Sequence, residues 1–342
     1  MTSLSSAHGR SQAVPLSVFE QSKDAHIIRS DEEAIELAKQ LAQEFAQEAS
    51  ERDRERRLPL NEIQQFSQSG LWAITVPKQF GGAQVKYRTL AEVIKTIASV
   101  DPSLAQLPQN HLAFIEHLRL DAGPEQQQFF FNLVLRGIRF GNAFSEKHSK
   151  TVADLTTTLR KTEHGYEING KKFFATGALL AHWVPIVAVN EEGQPYAALV
   201  PRETSGVNII NDWSGFGQRT TASGTVELNQ VPVREEYLIP IYQAFERPTP
   251  AGAISQFIQA AVDAGIARGA IEETIHYVKN HSRAWVDSGL EKASDDPCAC
   301  RWVLGPAMSR SLAIRRSSRG FRCRCRSGTA TAGISRQLEP KS

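Results

Sequence analysis

Ile168-Asn169-Gly170-Lys171-Lys172-Phe173-Phe174-Ala175-Thr176-Gly177 is the stretch on which the reading of this chain turns. Asn169-Gly170 punctuates two short runs, 165–168 and 172–175, whose aromatic and β-branched residues suit a pleated, half-buried surface. Working outward, the same pattern recurs at 155–161, 183–189, 197–200, 207–210 and 225–228. Short alternating runs broken by Gly, Asn and Pro at this spacing predict a β-barrel or sandwich of about a hundred residues.

On both sides of that region the apolar period lengthens to 3.6. Asp31 is an acceptable N-cap for a helix carrying Ile35, Leu37, Ala38, Leu41, Ala42 and Phe45. Leu60, Ile63, Phe66 and Leu71 mark a second helix, with Gly70 where it should stop. Residues 72–77 then open an extended segment that turns at Gly81-Gly82. Further helices are predicted over 89–99 and 111–120, separated by Asp101-Pro102, and the run 51–57 reads as a solvated charged face. Helical spacing returns at Ile254 and persists to Val278. The fold class is therefore α+β. Its expected parts are a mobile arm (1–25), an N-terminal helical domain (26–140), a central β-domain (141–248), the start of a truncated C-terminal helical domain (249–296) and an atypical basic tail (297–342).

The net charge of +2 hides a division within the chain. Up to Asp296 there are 29 basic and 36 acidic residues, so the body carries −7 and no basic surface for nucleic acid is expected. No apolar run approaches the roughly 20 residues of a membrane span, and the N-terminus is polar, so the expectation is a cytoplasmic protein without a membrane partner. All four cysteines, Cys298, Cys300, Cys323 and Cys325, lie in the tail, where the stretch to Leu338 has nine Arg, no Lys and no acid. That composition does not offset the entropy of ordering and reads as disordered, an aberrant or out-of-frame end. A natural basic tail is one alternative. A zinc site is another, although one-residue gaps between cysteines are tighter than zinc thiolates usually have.

From about Arg57 to Asp296 the chain resembles the acyl-CoA dehydrogenase family. The resemblance rests on Gly70-Leu71-Trp72 through Val76-Pro77, on Phe80-Gly81-Gly82, and on the 168–177 stretch. It is strongest to the flavin monooxygenase branch, through Asn110-His111-Leu112, Gly141-Asn142-Ala143-Phe144-Ser145-Glu146 and the segment from Asn211 to Arg219 that contains Trp213.

The resemblance implies a flavin, FMN or FAD, lying at the seam of strands and helices. Its flat ring needs aromatic or apolar cover and its polar edge a few aimed hydrogen bonds. Thr176 is implied beside the reactive edge, with Phe174 near it, Phe144 and Ser145 toward the pyrimidine side, and Trp213 and Ser223 along the cofactor or substrate face. Asn142 and His111 are the implied catalytic pair: neutral groups that cradle an oxygenated flavin carrying a peroxide at C4a, the histidine exchanging the peroxide proton. Arg283 is implied as the fork that reaches the flavin phosphate of a neighbouring subunit, with Trp285 beside it, which would require a homo-oligomer, a dimer or tetramer.

An acyl-CoA dehydrogenase needs a glutamate base. At one family position, the entry to the helix near Ile254, this chain reads Ser255-Gln256; the other position would fall after Asp296, where the resemblance has ended. The activity implied is oxygenation of a small organosulfur compound by FMNH2. A separate flavin reductase would supply it, because no Gly-x-Gly-x-x-Gly nicotinamide fingerprint is present. The alternatives are an FAD-dependent acyl-CoA dehydrogenase and a truncated, non-catalytic relative.

Overall fold

The computed structural model describes residues 14–19, 25–147, 151, 154–284, 286 and 289–293. The basic tail with its four cysteines, and Trp285, lie outside the described residues, as does most of the predicted arm. Residues 1–270 cluster as one compact unit and 271–342 as a second.

The first unit begins with helices α1 (Asp31–Ala46), α2 (Ala49–Glu55) and α3 (Leu60–Gln68), followed by α4 (Tyr87–Ala98), α5 (Pro102–Gln106), α6 (Gln109–Asp121) and α7 (Pro124–Leu135). The cap of α1 is Ser30 rather than Asp31. Its Oγ accepts the Glu33 N–H at 3.1 Å, while Asp31 takes the Lys86 N–H and the Thr89 hydroxyl. Gly70 does end the second predicted helix: its φ is +81°, and a Cβ there would sit 2.1 Å from the His26 carbonyl. The extended segment expected at 72–77 is instead a 3₁₀ turn, Leu71–Ala73, because Trp72 folds back into the helical core.

The charged run also reads differently in three dimensions. Arg52 is 1% exposed, with its fork donating to Glu62 at 2.8 Å, Asp101 at 2.9 Å and the Phe45 carbonyl at 2.7 Å. The two carboxylates come from α3 and the cap of α5, so only tertiary contacts reveal why this arginine leaves water.

Strands β1 (Thr158–Thr162), β2 (Gly165–Lys172), β3 (Trp183–Val189), β4 (Pro195–Pro201), β5 (Val207–Ile210), β6 (Thr225–Val233) and β7 (Leu238–Ile239) form one mixed sheet. Its order is β5-β6-β2-β1-β3-β4-β7. Neighbours are antiparallel except β1 and β3, which meet in parallel at a single register, Thr158↔Val189. The two runs predicted around Asn169-Gly170 are not separate strands: β2 passes through that dipeptide with a bulge between Ile168 and Gly170, and ends before Phe173. Residues 173–177 are thereby released from the ladder.

Helix α8 (Ala251–Asn280) buries Ile254, Ile258, Ala261, Val262 and Gly265 in its first part. Gly265 rests on Lys95 and Ala98 of α4, and Gly269 on the Ser99 carbonyl, so the helix backbones approach more closely than a side chain would allow. Leu16–Phe19, inside the predicted arm, is an ordered 3₁₀ turn; the Arg202 guanidinium lies 4.0 Å from the Phe19 ring centroid. In the second unit Arg283 pairs as an antiparallel bridge with Lys292. No helix of the described residues is long and apolar enough to cross a membrane.

Candidate functional site

The residues released after β2 meet the segment 140–147 and the loop between β5 and β6. Segment 140–143 is stitched to β3 by parallel bridges Phe140↔Trp183 and Ala143↔Ile186. Asn142 is buried between them, and its Nδ2 reaches the Phe174 carbonyl at 3.4 Å. Its Oδ1 is buried with no hydrogen-bond partner. A buried carboxamide oxygen left without a donor costs about 1–3 kcal/mol unless a ligand supplies one.

Phe174 carries two signs of a site. It is 53% exposed, and it sits at φ +53°, a conformation that costs a non-glycine residue about 1–2 kcal/mol. Gln218 and Ala222 share the left-handed region, so three of the six non-glycine residues with positive φ among the described ones gather here. The Phe174 ring meets Trp213 edge-to-face, 6.5 Å between centroids and 83° between planes. Gly215 lies flat against that indole, since a Cβ there would overlap the ring at 2.3 Å. Thr176 places its hydroxyl 2.8 Å from Ser223, whose hydroxyl is 2.8 Å from Thr221. Thr221 donates to the Gln218 carbonyl, which also accepts the Trp213 indole N–H at 3.0 Å.

The chain of contacts thus closes on itself, from the Phe174 carbonyl through Thr176, Ser223, Thr221, Gln218 and Trp213 back to the Phe174 ring. Phe174, Trp213 and Ser223 line a cleft of about 100 Å³ with Lys147 and Asp212. That space admits an edge of a planar ring rather than enclosing all of it, against the roughly 300–1,000 Å³ of pockets that bury a whole ligand.

Ser145 lies beside this group, its carbonyl accepting the Phe173 N–H at 2.9 Å, while the half-buried Phe144 packs toward Phe114. Both are held by an ion pair that sequence reasoning did not single out. Lys172 Nζ bonds Glu146 at 2.6 Å and the Phe144 carbonyl at 3.2 Å, with the lysine side chain fully buried and the glutamate side chain nearly so. Burial pushes the Glu146 carboxyl up, but hydrogen bonds from Lys172, Thr156 and Thr157 outweigh it and hold the group down at about 2. Burial depresses the Lys172 ammonium despite that partner.

His111 stands behind the site with both nitrogens occupied. Nδ1 accepts the Phe140 N–H at 3.0 Å, so Nε2 must carry the hydrogen that goes to the Trp72 carbonyl at 2.9 Å. The ring is wedged between Trp72 and Phe140, fully buried, and burial drives its pKa down to about 3. In this geometry it has neither a free nitrogen nor a proton to exchange near neutrality; the expectation of proton transfer gives way to anchoring Phe140, two residues before Asn142. Arg283 is exposed and belongs to the second unit.

Other residues that shape the site lie in the charged run. Arg56 donates to the Gly215 carbonyl at 2.8 Å, Asp53 accepts the Arg219 N–H at 3.2 Å, and Arg219 reaches the Arg54 carbonyl. Helix α2 therefore brackets the Trp213 loop across about 160 residues of sequence. The only local signal for this was the density of charge at 51–57.

This helical layer on a mixed sheet, with an aromatic-walled, orphan-acceptor site at their seam, corresponds to a known class. Residues 30–137 match the N-terminal domain of acyl-CoA dehydrogenases and 143–231 their middle domain; the chain belongs to the acyl-CoA dehydrogenase family. Within it the chain is 32% identical over 280 residues to a dibenzothiophene monooxygenase of Mycolicibacterium goodii, covering 78% of this chain and 68% of that one. It is also 32% identical over 275 residues to SfnC of Pseudomonas putida, described as a probable FMNH2-dependent monooxygenase, with the same coverage. The crystal structure of FMN-bound TdsC from Paenibacillus sp. A11-2 superposes with a TM-score of 0.72 at 33% identity, over 82% of this chain and 76% of that one. The chain spans about two thirds of the length of the curated relatives it matches.

Proposed function

We propose that this chain binds reduced flavin, FMNH2 delivered by a separate reductase, and oxygenates a small organosulfur compound. The single observation that carries the reading is the partnerless, buried Asn142 Oδ1, set beside a strained, exposed Phe174 in a chain similar to a probable FMNH2-dependent monooxygenase and to FMN-bound TdsC. Phe174 and Trp213 supply the aromatic wall, Asn142 and Thr176 the polar edge, and Phe144 and Ser145 the flanking segment. Ser223 holds Thr176 in place.

Reduced flavin held by these residues would supply the two electrons and two hydrogens needed for O2 to give one oxygen atom to sulfur and the other to water. The protein's part is to orient and to keep water out. Asn142 and Thr176 put neutral groups on the edge, Lys147 and Asp212 stand at the cleft beside them, and His111 fixes the 140–143 segment from behind. Arg283 in this reading reaches a phosphate of a neighbouring subunit, so the working form is a homo-oligomer. Ser255-Gln256 favours oxygenation over dehydrogenation. The first turn of α8 contains no acid, and Ser255 is occupied by Gln109, whose Nε2 donates to its carbonyl and hydroxyl at 3.1 Å.

The same reading takes the sheet as a sandwich-like curl. Its two antiparallel parts are joined by one parallel register, yet Leu159, Ile168 and Val226 of one share a buried cluster with Ile186, Ala198 and Val200 of the other.

The test is anaerobic titration of photoreduced FMN into the full chain, followed by turnover with a flavin reductase, an aryl or alkyl sulfide and ¹⁸O2. Tight binding of reduced FMN and one labelled oxygen in the product are expected. Free reoxidation of the flavin with no label transferred would refute the proposal.

A further inference from the structure

The floor of the site holds three hydroxyls in series. Thr176 Oγ1 lies 2.8 Å from Ser223 Oγ, Ser223 Oγ lies 2.8 Å from Thr221 Oγ1, and Thr221 Oγ1 lies 3.1 Å from the Gln218 carbonyl. Three contacts need three hydrogens, and three hydroxyls own three. A carbonyl has none to give, so the last contact uses the hydrogen of Thr221. Ser223 must then donate to Thr221, since otherwise two oxygens 2.8 Å apart would face each other with lone pairs alone. Thr176 is left to donate to Ser223. The other acceptor near Thr176, the Phe174 carbonyl, is 3.5 Å from the hydroxyl and already takes the Thr176 N–H at 2.8 Å, so it does not compete. Thr221 is 1% and Ser223 7% exposed, which keeps water from resetting the direction.

The hydrogen of the half-buried Thr176 is thus turned inward, and only its lone pairs face outward. Asn142 Oδ1, the second polar atom of this edge, is likewise an acceptor in want of a donor.

We infer that Thr221 is a positioning residue that fixes Thr176 as a hydrogen-bond acceptor, so that the site selects a ligand presenting an N–H there: reduced flavin over oxidised. Reduction adds a hydrogen to flavin N5 and turns an acceptor into a donor, which is the change this polarity recognises. The inference rests on the flavin reading above and adds to it the residue that sets redox preference.

The experiment measures dissociation constants of oxidised FMN, by fluorescence titration, and of photoreduced FMN, anaerobically, for the full chain and three variants, each checked for a native melt. The wild type is expected to bind reduced FMN the more tightly. Thr221→Val is expected to lower the ratio of the two constants by about tenfold, the worth of one neutral hydrogen bond. In a redox titration this is a fall of about 30 mV in the two-electron potential of the bound flavin. Thr221→Ser, which keeps the hydroxyl, should retain the wild-type ratio. Ser223→Ala frees the Thr176 hydrogen and should lower the ratio at least as far. If wild type, Thr221→Val and Ser223→Ala bind both forms with one common ratio, the polarity argument is overturned while flavin binding stands. If the wild type binds neither form, both proposals fall.

Discussion

Replacing Glu146 by Gln removes the charge that neutralises a fully buried Lys172, and its effect can be worked from two directions. The carboxyl is held at about 2 against an ordinary 4.5. At roughly 1.36 kcal/mol per pH unit, that displacement corresponds to about 3 kcal/mol of native-state stabilisation. Ser145 and Lys147 on either side are exposed. Solvent screening through that stretch brings the expectation to about 2 kcal/mol. Independently, leaving one member of a buried ion pair alone costs about 3–5 kcal/mol. A loss of about 2–4 kcal/mol at pH 7 is therefore expected for Glu146→Gln in urea denaturation.

The pH dependence identifies the cause. A carboxyl with a depressed native pKa contributes fully above its unfolded value near 4.5, and the contribution disappears as pH falls from there toward 2. The wild type should lose about 2 kcal/mol more than the variant between pH 5 and pH 2.5, and the two stabilities should converge in acid. Because Lys172 also holds the Phe144 carbonyl, the variant should bind FMN more weakly as well. Parallel acid limbs separated by a constant offset would refute the reasoning, since the lost energy would then lie in packing rather than in the carboxylate.

Asn142→Ala should weaken reduced-FMN binding about tenfold, one unmade hydrogen bond, while the melting temperature holds or rises as a partnerless buried oxygen is removed; equilibrium dialysis and calorimetry read the two effects. Arg52→Leu strands the Glu62 and Asp101 carboxylates in the helical core and should cost about 3–5 kcal/mol in chemical denaturation, with Arg52→Lys recovering part of it. Phe174→Gly should relieve the φ +53° backbone and leave stability within about 1 kcal/mol of wild type, yet lower FMN affinity by removing the aromatic wall, as a paired melt and titration would show. His111, held neutral with a pKa of about 3 against 6.5, favours the native state fully above pH 6.5 and progressively less as pH falls toward 3. Wild-type stability should therefore start to decline near pH 6.5, and His111→Gln should start lower but flatten that part of the profile.

The sequence alone determined the order of helices, strands and helices, because hydrophobic period is local: 3.6 where a stripe must face a core and 2 where a pleat is half-buried. It placed strands 183–189 and 207–210 at their observed bounds, and it singled out Asn142, Phe174, Thr176, Ser223 and Trp213, which the fold does gather. It misread 165–175 as two strands, since a bulge is a property of the partner strand β6 as much as of Asn169-Gly170. It assigned Arg52 to solvent and gave His111 a proton to move, because burial and the identity of hydrogen-bond partners are decided by chain many residues away: Asp101 for the arginine, Trp72 and Phe140 for the histidine. Whether Thr176 donates or accepts was likewise beyond any local pattern. That direction is set by counting hydrogens along Thr176, Ser223, Thr221 and a carbonyl, and only the tertiary structure puts those four groups in line.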